Sequence, residues 1–155
     1  FHILMVHPPE AEELEVVRET TGIIDPHFNR PVTADDLIGF QRLVRRVPVA
    51  DPVLRYALSL VRTSRPQAPN APESVKKFVA FGASVRAAQY LVLGGKARAL
   101  TSGRYHVNFD DIRAMAHPVL RHRVLVNFRA ESEGISTDSI VDELLERVAV
   151  PASGM

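Results

Sequence analysis

The segment Gly82-Ala83-Ser84-Val85-Arg86-Ala87 combines residue types and spacing that could do chemistry. Ser84 is a good helix N-cap residue, and a helix opening on it places Arg86 in the first turn. A cation there opposes the helix dipole and costs a few tenths of a kcal/mol. A free helix N-terminus also presents backbone N–H groups to anions, so an arginine beside it makes sense if a phosphate arrives. The competing reading is a surface arginine paired with an acid such as Asp110, and exposed arginine is common. Both readings stand on the residues alone. Gln89 and Lys96 lie three and ten residues beyond Arg86 and share one polar stripe with it. The opposite face (Ala87, Ala88, Leu91, Val92, Ala99) is small and apolar, suited to close packing on a neighbouring helix.

Other chemistries find no support. A phosphate-binding loop needs G-x-x-x-x-G-K-[ST]. The single Gly-Lys pair, Gly95-Lys96, is followed by Ala97, has Tyr90 where the first glycine belongs, and lies inside a helical pattern. Asp110-Asp111 follows Asn108 and reads as a helix start, not as strand-end acids for Mg²⁺. Histidines stand at 2, 7, 27, 106, 117 and 122. His117 and His122 are five apart, not the i, i+4 spacing that presents two ligands on one helical face, so no metal site is expected. No Ser-His-Asp set emerges without arbitrary choices.

Helices must position Arg86. Pro8 and Pro9 before Glu10, Glu12 and Glu13 mark one helix start, with Leu14, Val17 and Thr21 at helical spacing and Gly22 as the end. Ile23 to Pro31 is a turn-rich connector. Thr33 and Asp36 form a capping-box pattern, followed by a stripe of Leu37, Phe40, Val44 and Val47 that should be buried. Asp51-Pro52 starts a third helix with Leu54, Ala57, Leu58 and Val61 on its apolar side. Pro66, Pro69 and Pro72 make residues 63–74 a polyproline-like loop. Val75 to Phe81 is predicted as a short helix and Ser84 to about Ala99 as a long one, with Gly94-Gly95 a weak point. Tyr105–Val107 and Val124–Val126 are short strand candidates. Asn108 and Asp111 cap another helix, and Ser136 or Thr137 caps the last, whose apolar side carries Ile140, Val141, Leu144, Leu145 and Val148. Phe1 to Val6 is an apolar run suited to a buried strand or its remnant.

Composition sets outer bounds. The chain has 155 residues, 46% of them hydrophobic and 24% charged, which fits one soluble domain or a small domain with extensions. It has no cysteine, which excludes disulfides and zinc-thiolate sites and suits the cytosol. Net charge is +1, so no global field favours nucleic acid or membrane. No apolar run is long enough to span a bilayer. The start FHILMVHPPE has no basic flank or cleavage site of a signal peptide and reads as a cut through a larger protein.

With these residues in place, the chain resembles the C-terminal lid of the MoxR family of AAA+ ATPases over nearly its whole length. The carrying segments are VADPVLRYALSLVRTSRP, then GASVRAAQYLVLGGKARALTSGRYHVNFDDIRAMAHPVLRHRVLVNFRAESEGISTDSIVDELL and the following VP. Gly82 to Ala87 is similar to the family's sensor-2 motif, with Val85 where proline often stands; PVLRHRV, Pro118 to Val124, is also distinctive. The resemblance implies a mainly α helical lid bundle with a minor short β-ribbon, plus a remnant strand of the α/β core at the N-terminus. Residues 1–22 would be the end of the core and a connector helix, and residues 23–155 the lid. Arg86 would contact the nucleotide's terminal phosphates, with Gly82, Ala83 and Ser84 positioning it. ATP with Mg²⁺ would be held mainly by an absent core domain, so this chain alone should not hydrolyse ATP. Implied partners are its own core, neighbouring subunits of a ring (commonly a hexamer) and an unknown client in chaperone-like assembly, all in the cytoplasm; neither membrane nor nucleic acid is expected. The alternative is a stand-alone helical module binding protein or nucleic acid through Arg42, Arg45 and Arg46 or Arg121 and Arg123, and a salt titration of DNA binding separates the two.

Overall fold

The computed structural model describes residues 1–23, 29 and 31–151. In chain order they form α1 (Glu10–Thr20), α2 (Ala34–Arg46), α3 (Asp51–Thr63), α4 (Glu73–Phe78), β1 (Val79–Phe81), α5 (Val85–Thr101), α6 (Phe109–Ala114), α7 (Ala116–Leu120), β2 (Leu125–Val126), α8 (Phe128–Ser132) and α9 (Thr137–Arg147). The mainly α architecture with one short ribbon agrees with expectation. The predicted connector from Ile23 to Pro31 falls largely on residues 24–28 and 30, outside the described residues, as do His27 and residues 152–155.

Helix α5 is the axis of the bundle. It packs against α3, α6 and α7, while α9 closes over α7 and α3 and α4 lies on α8. Tyr56, Leu60 and Val61 of α3 interlock with Ala87 and Leu91 of α5, Ile112, Val119, Leu120, and Ile140, Val141 and Leu144 of α9. Removing these side chains from water is the main stabilising term, roughly 1.5–3 kcal/mol for each large one. Helix α3 begins where Pro52 pre-sets the first turn and Asp51 meets the dipole. Its buried face is Val53, Tyr56, Ala57, Leu60 and Val61; Leu54 and Leu58, expected inside, are exposed because α5 and α9 approach one helical step round.

Both capping boxes form. Thr33 accepts from Asp36 N–H, and the Asp36 carboxylate accepts from Thr33 N–H at 2.9 Å. The Thr33 hydroxyl and amide hydrogen bonds hold the Asp36 carboxyl below its ordinary value. Asn108 and Asp111 do the same at 2.9 and 3.0 Å. Asp111 is fully buried and also receives a fork from Arg104, at 2.7 Å for one of its two bonds, and Arg98 at 3.0 Å. Burial alone would raise its carboxyl, but the bonds from Arg104, Asn108 and Arg98 outweigh that and hold it low. This cluster ties the end of α5 to the start of α6.

Several local expectations are corrected. The predicted helix over Val75–Phe81 stops at Phe78, and Val79–Phe81 pairs antiparallel with Leu125–Val126 (Val79 opposite Val126, Phe81 opposite Leu125). Asn127 N–H donates to Phe78 C=O at 2.8 Å, a long-range bond that competes with helix continuation. Tyr105–Val107 forms no strand; Val107 is a buried plug against Gly95, and Tyr105 points to solvent. Gly94-Gly95 is no weak point either. A Cβ at Gly95 would approach Val107 and Ile112 to 3.1 and 3.2 Å, so its missing side chain lets α6 approach α5 closely. Residues 63–74 fold into hydrogen-bonded turns (Arg65 N–H to Arg62 C=O, Ala68 N–H to Arg65 C=O) with Ser64 and Ala71 buried, in place of an extended polyproline-like loop.

The N-terminal third is loosely covered. Val47, the residue after α2, is buried and Val44 is half-buried, but Leu37 and Phe40 are more than half exposed; on α1, Leu14 and Val17 are exposed too. Phe1–Pro9 adopts no regular structure, correcting the expected strand: a strand is stable only beside a ladder partner, and none of the described residues supplies one there. His2 N–H instead donates to Pro118 C=O at 2.7 Å, and the Phe1 ring meets Tyr90 edge-on at 6.2 Å.

Candidate functional site

The site is the mouth of α5, held by the end of α3. Gly82 lies directly on the Ser64–Arg65 backbone: a Cβ there would come within 2.5 Å of Ser64 C=O and 2.6 Å of Arg65 Cα. Only glycine fits that approach. The next residue, Ala83, is buried and bonded at both peptide groups. Its N–H donates to Ser64 Oγ at 2.9 Å, and its C=O accepts from Arg65 Nε at 3.0 Å. Ser64 is itself buried and its hydroxyl donates to Val61 C=O at 2.8 Å. The strand-to-helix turn is therefore fastened on three sides before α5 begins.

Ser84 occupies the N-cap with extended backbone, φ −85° and ψ 172°, as expected. Its hydroxyl makes no cap bond, which corrects the expected side-chain capping. Ala87 N–H turns back to Ser84 C=O at 2.9 Å, whereas the N–H groups of Val85 and Arg86 find no acceptor among the described residues. They face outward at the positive end of a 17-residue helix. Arg86 is exposed and forms no ion pair with any described acid, so the alternative pairing with Asp110 is absent. An exposed, uncompensated guanidinium beside free N–H groups can receive a phosphate oxygen.

Gly82, Ala83, Ser84 and Arg86 are thus brought together, while the stripe-mates are not. Lys96 Nζ donates to Arg45 C=O at 3.2 Å and caps the end of α2, and Gln89 is simply exposed. Sequence reasoning missed Ser64 and Arg65. They sit 19 and 18 residues before Ala83 in a run that reads as loop, and the one local signal is a polar pair just ahead of Pro66.

One turn along α5, Tyr90 carries the Arg123 guanidinium 4.9 Å from its ring centroid. His122 adjoins Arg123; burial, and then the like charges of Arg123 and His2, hold its imidazole below the ordinary value. His117 points elsewhere, between Asp138 at 3.4 Å and Asp142 at 2.9 Å. The Arg121 fork is bound to Asp138 at 2.8 and 2.9 Å, which also lowers the Asp138 carboxyl. A cavity of about 830 Å³ opens between α2 and α5, from Tyr90 toward the helix's C-terminal end, with Val44, Leu93, Ala97 and Met115 among its lining.

Known proteins share this helical bundle. Residues 72–144 match the family model described as the AAA lid domain. The chain is 28% identical over 151 residues to Chaperone MoxR1 of Mycobacterium tuberculosis, covering 97% of this chain and 40% of that protein. It is 32% identical over 152 residues to YeaC of Bacillus subtilis, covering 97% and 45%. A crystal structure of a protein provisionally designated an ATPase, from Cytophaga hutchinsonii, superposes with a TM-score of 0.81 at 30% identity, covering 94% of this chain and 44% of that one. Residues 72–144 are an AAA lid domain, and over nearly its whole length the chain is similar to MoxR-like AAA+ proteins. It spans less than half the length of these relatives. Among the described residues, no helix is long and apolar enough to cross a membrane.

Proposed function

We propose that this lid closes over a nucleotide held on an α/β core domain and that Arg86 contacts its terminal phosphates. The observation that carries the reading is the uncompensated Arg86 guanidinium on a turn fixed by Ser64 and Arg65. Gly82, Ala83 and Ser84 set the position of the helix start, so the cation arrives in register with a phosphate tail without reorganising. Arg86 and the free N–H groups suit phosphate oxygens; Mg²⁺ and the base are assigned to the core domain. ATP bound with Mg²⁺ there supplies the phosphoryl group, and Arg86 stabilises charge as it transfers.

The same reading assigns residues 1–22 to the end of the core and its connector, and residues 23–155 to the lid. The uncovered apolar side chains Leu14, Val17, Leu37 and Phe40 favour it, since such faces ordinarily meet a partner surface. It further places the whole protein in a cytoplasmic ring that works on a client complex as a chaperone. In the intact ATPase, Arg86→Ala should lower hydrolysis about 10²-fold while the lid's melting temperature stays unchanged. Unaltered kinetics would remove Arg86 from the reaction. At physiological salt, where exposed charges are screened, this chain alone should bind ATP negligibly by calorimetry, and tight binding there would reveal a nucleotide site outside the α5 mouth.

A further inference from the structure

The turn after α7 reads Arg121-His122-Arg123, and its two arginines have different fates. Arg121 is neutralised by Asp138. Arg123 meets no carboxylate among the described residues: one terminal nitrogen donates to Val119 C=O at 2.7 Å and adjoins His122, and the guanidinium lies over the Tyr90 ring. A guanidinium has five N–H donors, so most of the Arg123 fork is unused. Tyr90 follows Arg86 by four residues and shares its helix face, about 5–6 Å away between Cβ atoms. Helical side chains lean toward the N-terminus, so the ring that carries Arg123 leans toward the turn of Arg86. His122 and His2 stand beside them with ring centroids 5.8 Å apart. Neither Arg86 nor Arg123 forms an ion pair with an acid among the described residues.

We propose that Arg123 is a second phosphate-contacting residue, which together with Arg86 grips a polyphosphate chain. One fork on the first turn of α5 and a second held over the ring one turn further on suit an anion with more than one phosphoryl group, and the Tyr90 ring fixes the second fork in place. This rests on the reading of Arg86 given above. The test titrates this chain with inorganic tripolyphosphate at low salt by calorimetry, with inorganic phosphate as the single-group comparison. Arg123→Ala should weaken tripolyphosphate about fivefold and leave the weaker phosphate binding unchanged, with Arg123→Lys partly restored. Arg123→Gln, which keeps a donor for Val119 C=O but not the charge, should match Arg123→Ala and serves if the alanine variant unfolds. If Arg86→Ala weakens binding and the uncharged Arg123 variants do not, the second contact is refuted and the role of Arg86 stands. If neither variant matters, both fall. If Arg55→Ala, a change on α3, weakens binding as much as Arg123→Ala, the effect is bulk charge and the proposal is overturned.

Discussion

Gly82→Ala tests the fastening of the α5 mouth. The added Cβ would meet three backbone atoms, Ser64 C=O at 2.5 Å, Arg65 Cα at 2.6 Å and Ser64 C at 2.7 Å, none of which can rotate away. Relief to an ordinary contact of roughly 3.5 Å requires the turn to retreat by about 1 Å. That retreat stretches the 2.9 Å bond from Ala83 N–H to Ser64 Oγ beyond hydrogen-bonding range and leaves a buried donor unpaired. Overpacking costs about 1–3 kcal/mol and an unsatisfied buried N–H a similar amount, about 1–3 kcal/mol. Reduced freedom of the unfolded chain returns about 0.4–1 kcal/mol. The net is about 3 kcal/mol of destabilisation, or roughly 6–12 °C in melting temperature for a chain of this size. Thermal melts followed by circular dichroism measure it, with Gly39→Ala in α2 as the internal control. Nothing lies within 4 Å of a Cβ at Gly39, so that change should stabilise by about 0.5–1 kcal/mol. A Gly82→Ala chain that melts at or above wild type would refute the close approach, and with it the argument that the turn holds Arg86 rigidly.

Ser64→Ala should lower stability by about 1–3 kcal/mol, because the buried Ala83 N–H loses its acceptor; chemical denaturation reads this directly. Asp111→Asn should cost about 3 kcal/mol at neutral pH, since two arginines lose their common counter-charge. The Asp111 carboxyl is held below its ordinary 3.8, so its stabilisation is present above that value and lost as pH falls through the lower folded value. The gap between wild type and Asp111→Asn in acid denaturation should therefore narrow below pH 3.8, and a constant gap would contradict the linkage. Tyr56→Phe should cost about 1 kcal/mol by removing the 3.1 Å bond from Arg113, whose companion bond to Leu145 C=O at 2.9 Å remains.

Local chemistry was legible in the residues themselves. Thr33 with Asp36 and Asn108 with Asp111 announced helix starts, because a capping box is complete within four residues and needs no distant partner. The Gly82–Arg86 string likewise gave the candidate site, and Ser84 the start of its helix. Long-range choices were not legible. Val79–Phe81 continues an apolar helical pattern, yet becomes a strand because Leu125–Val126 lies alongside it in space. Leu54 and Leu58 are as apolar as Leu60, and only the direction from which α5 and α9 arrive leaves them outside. Residue type and spacing thus determined which helices start where and which cation heads the central one. The tertiary structure decided what holds that cation: Ser64 and Arg65 meet Ala83 only after α3 and α5 pack, since a contact across 18 or more residues is set by the packing of whole helices and leaves no periodic trace in the chain.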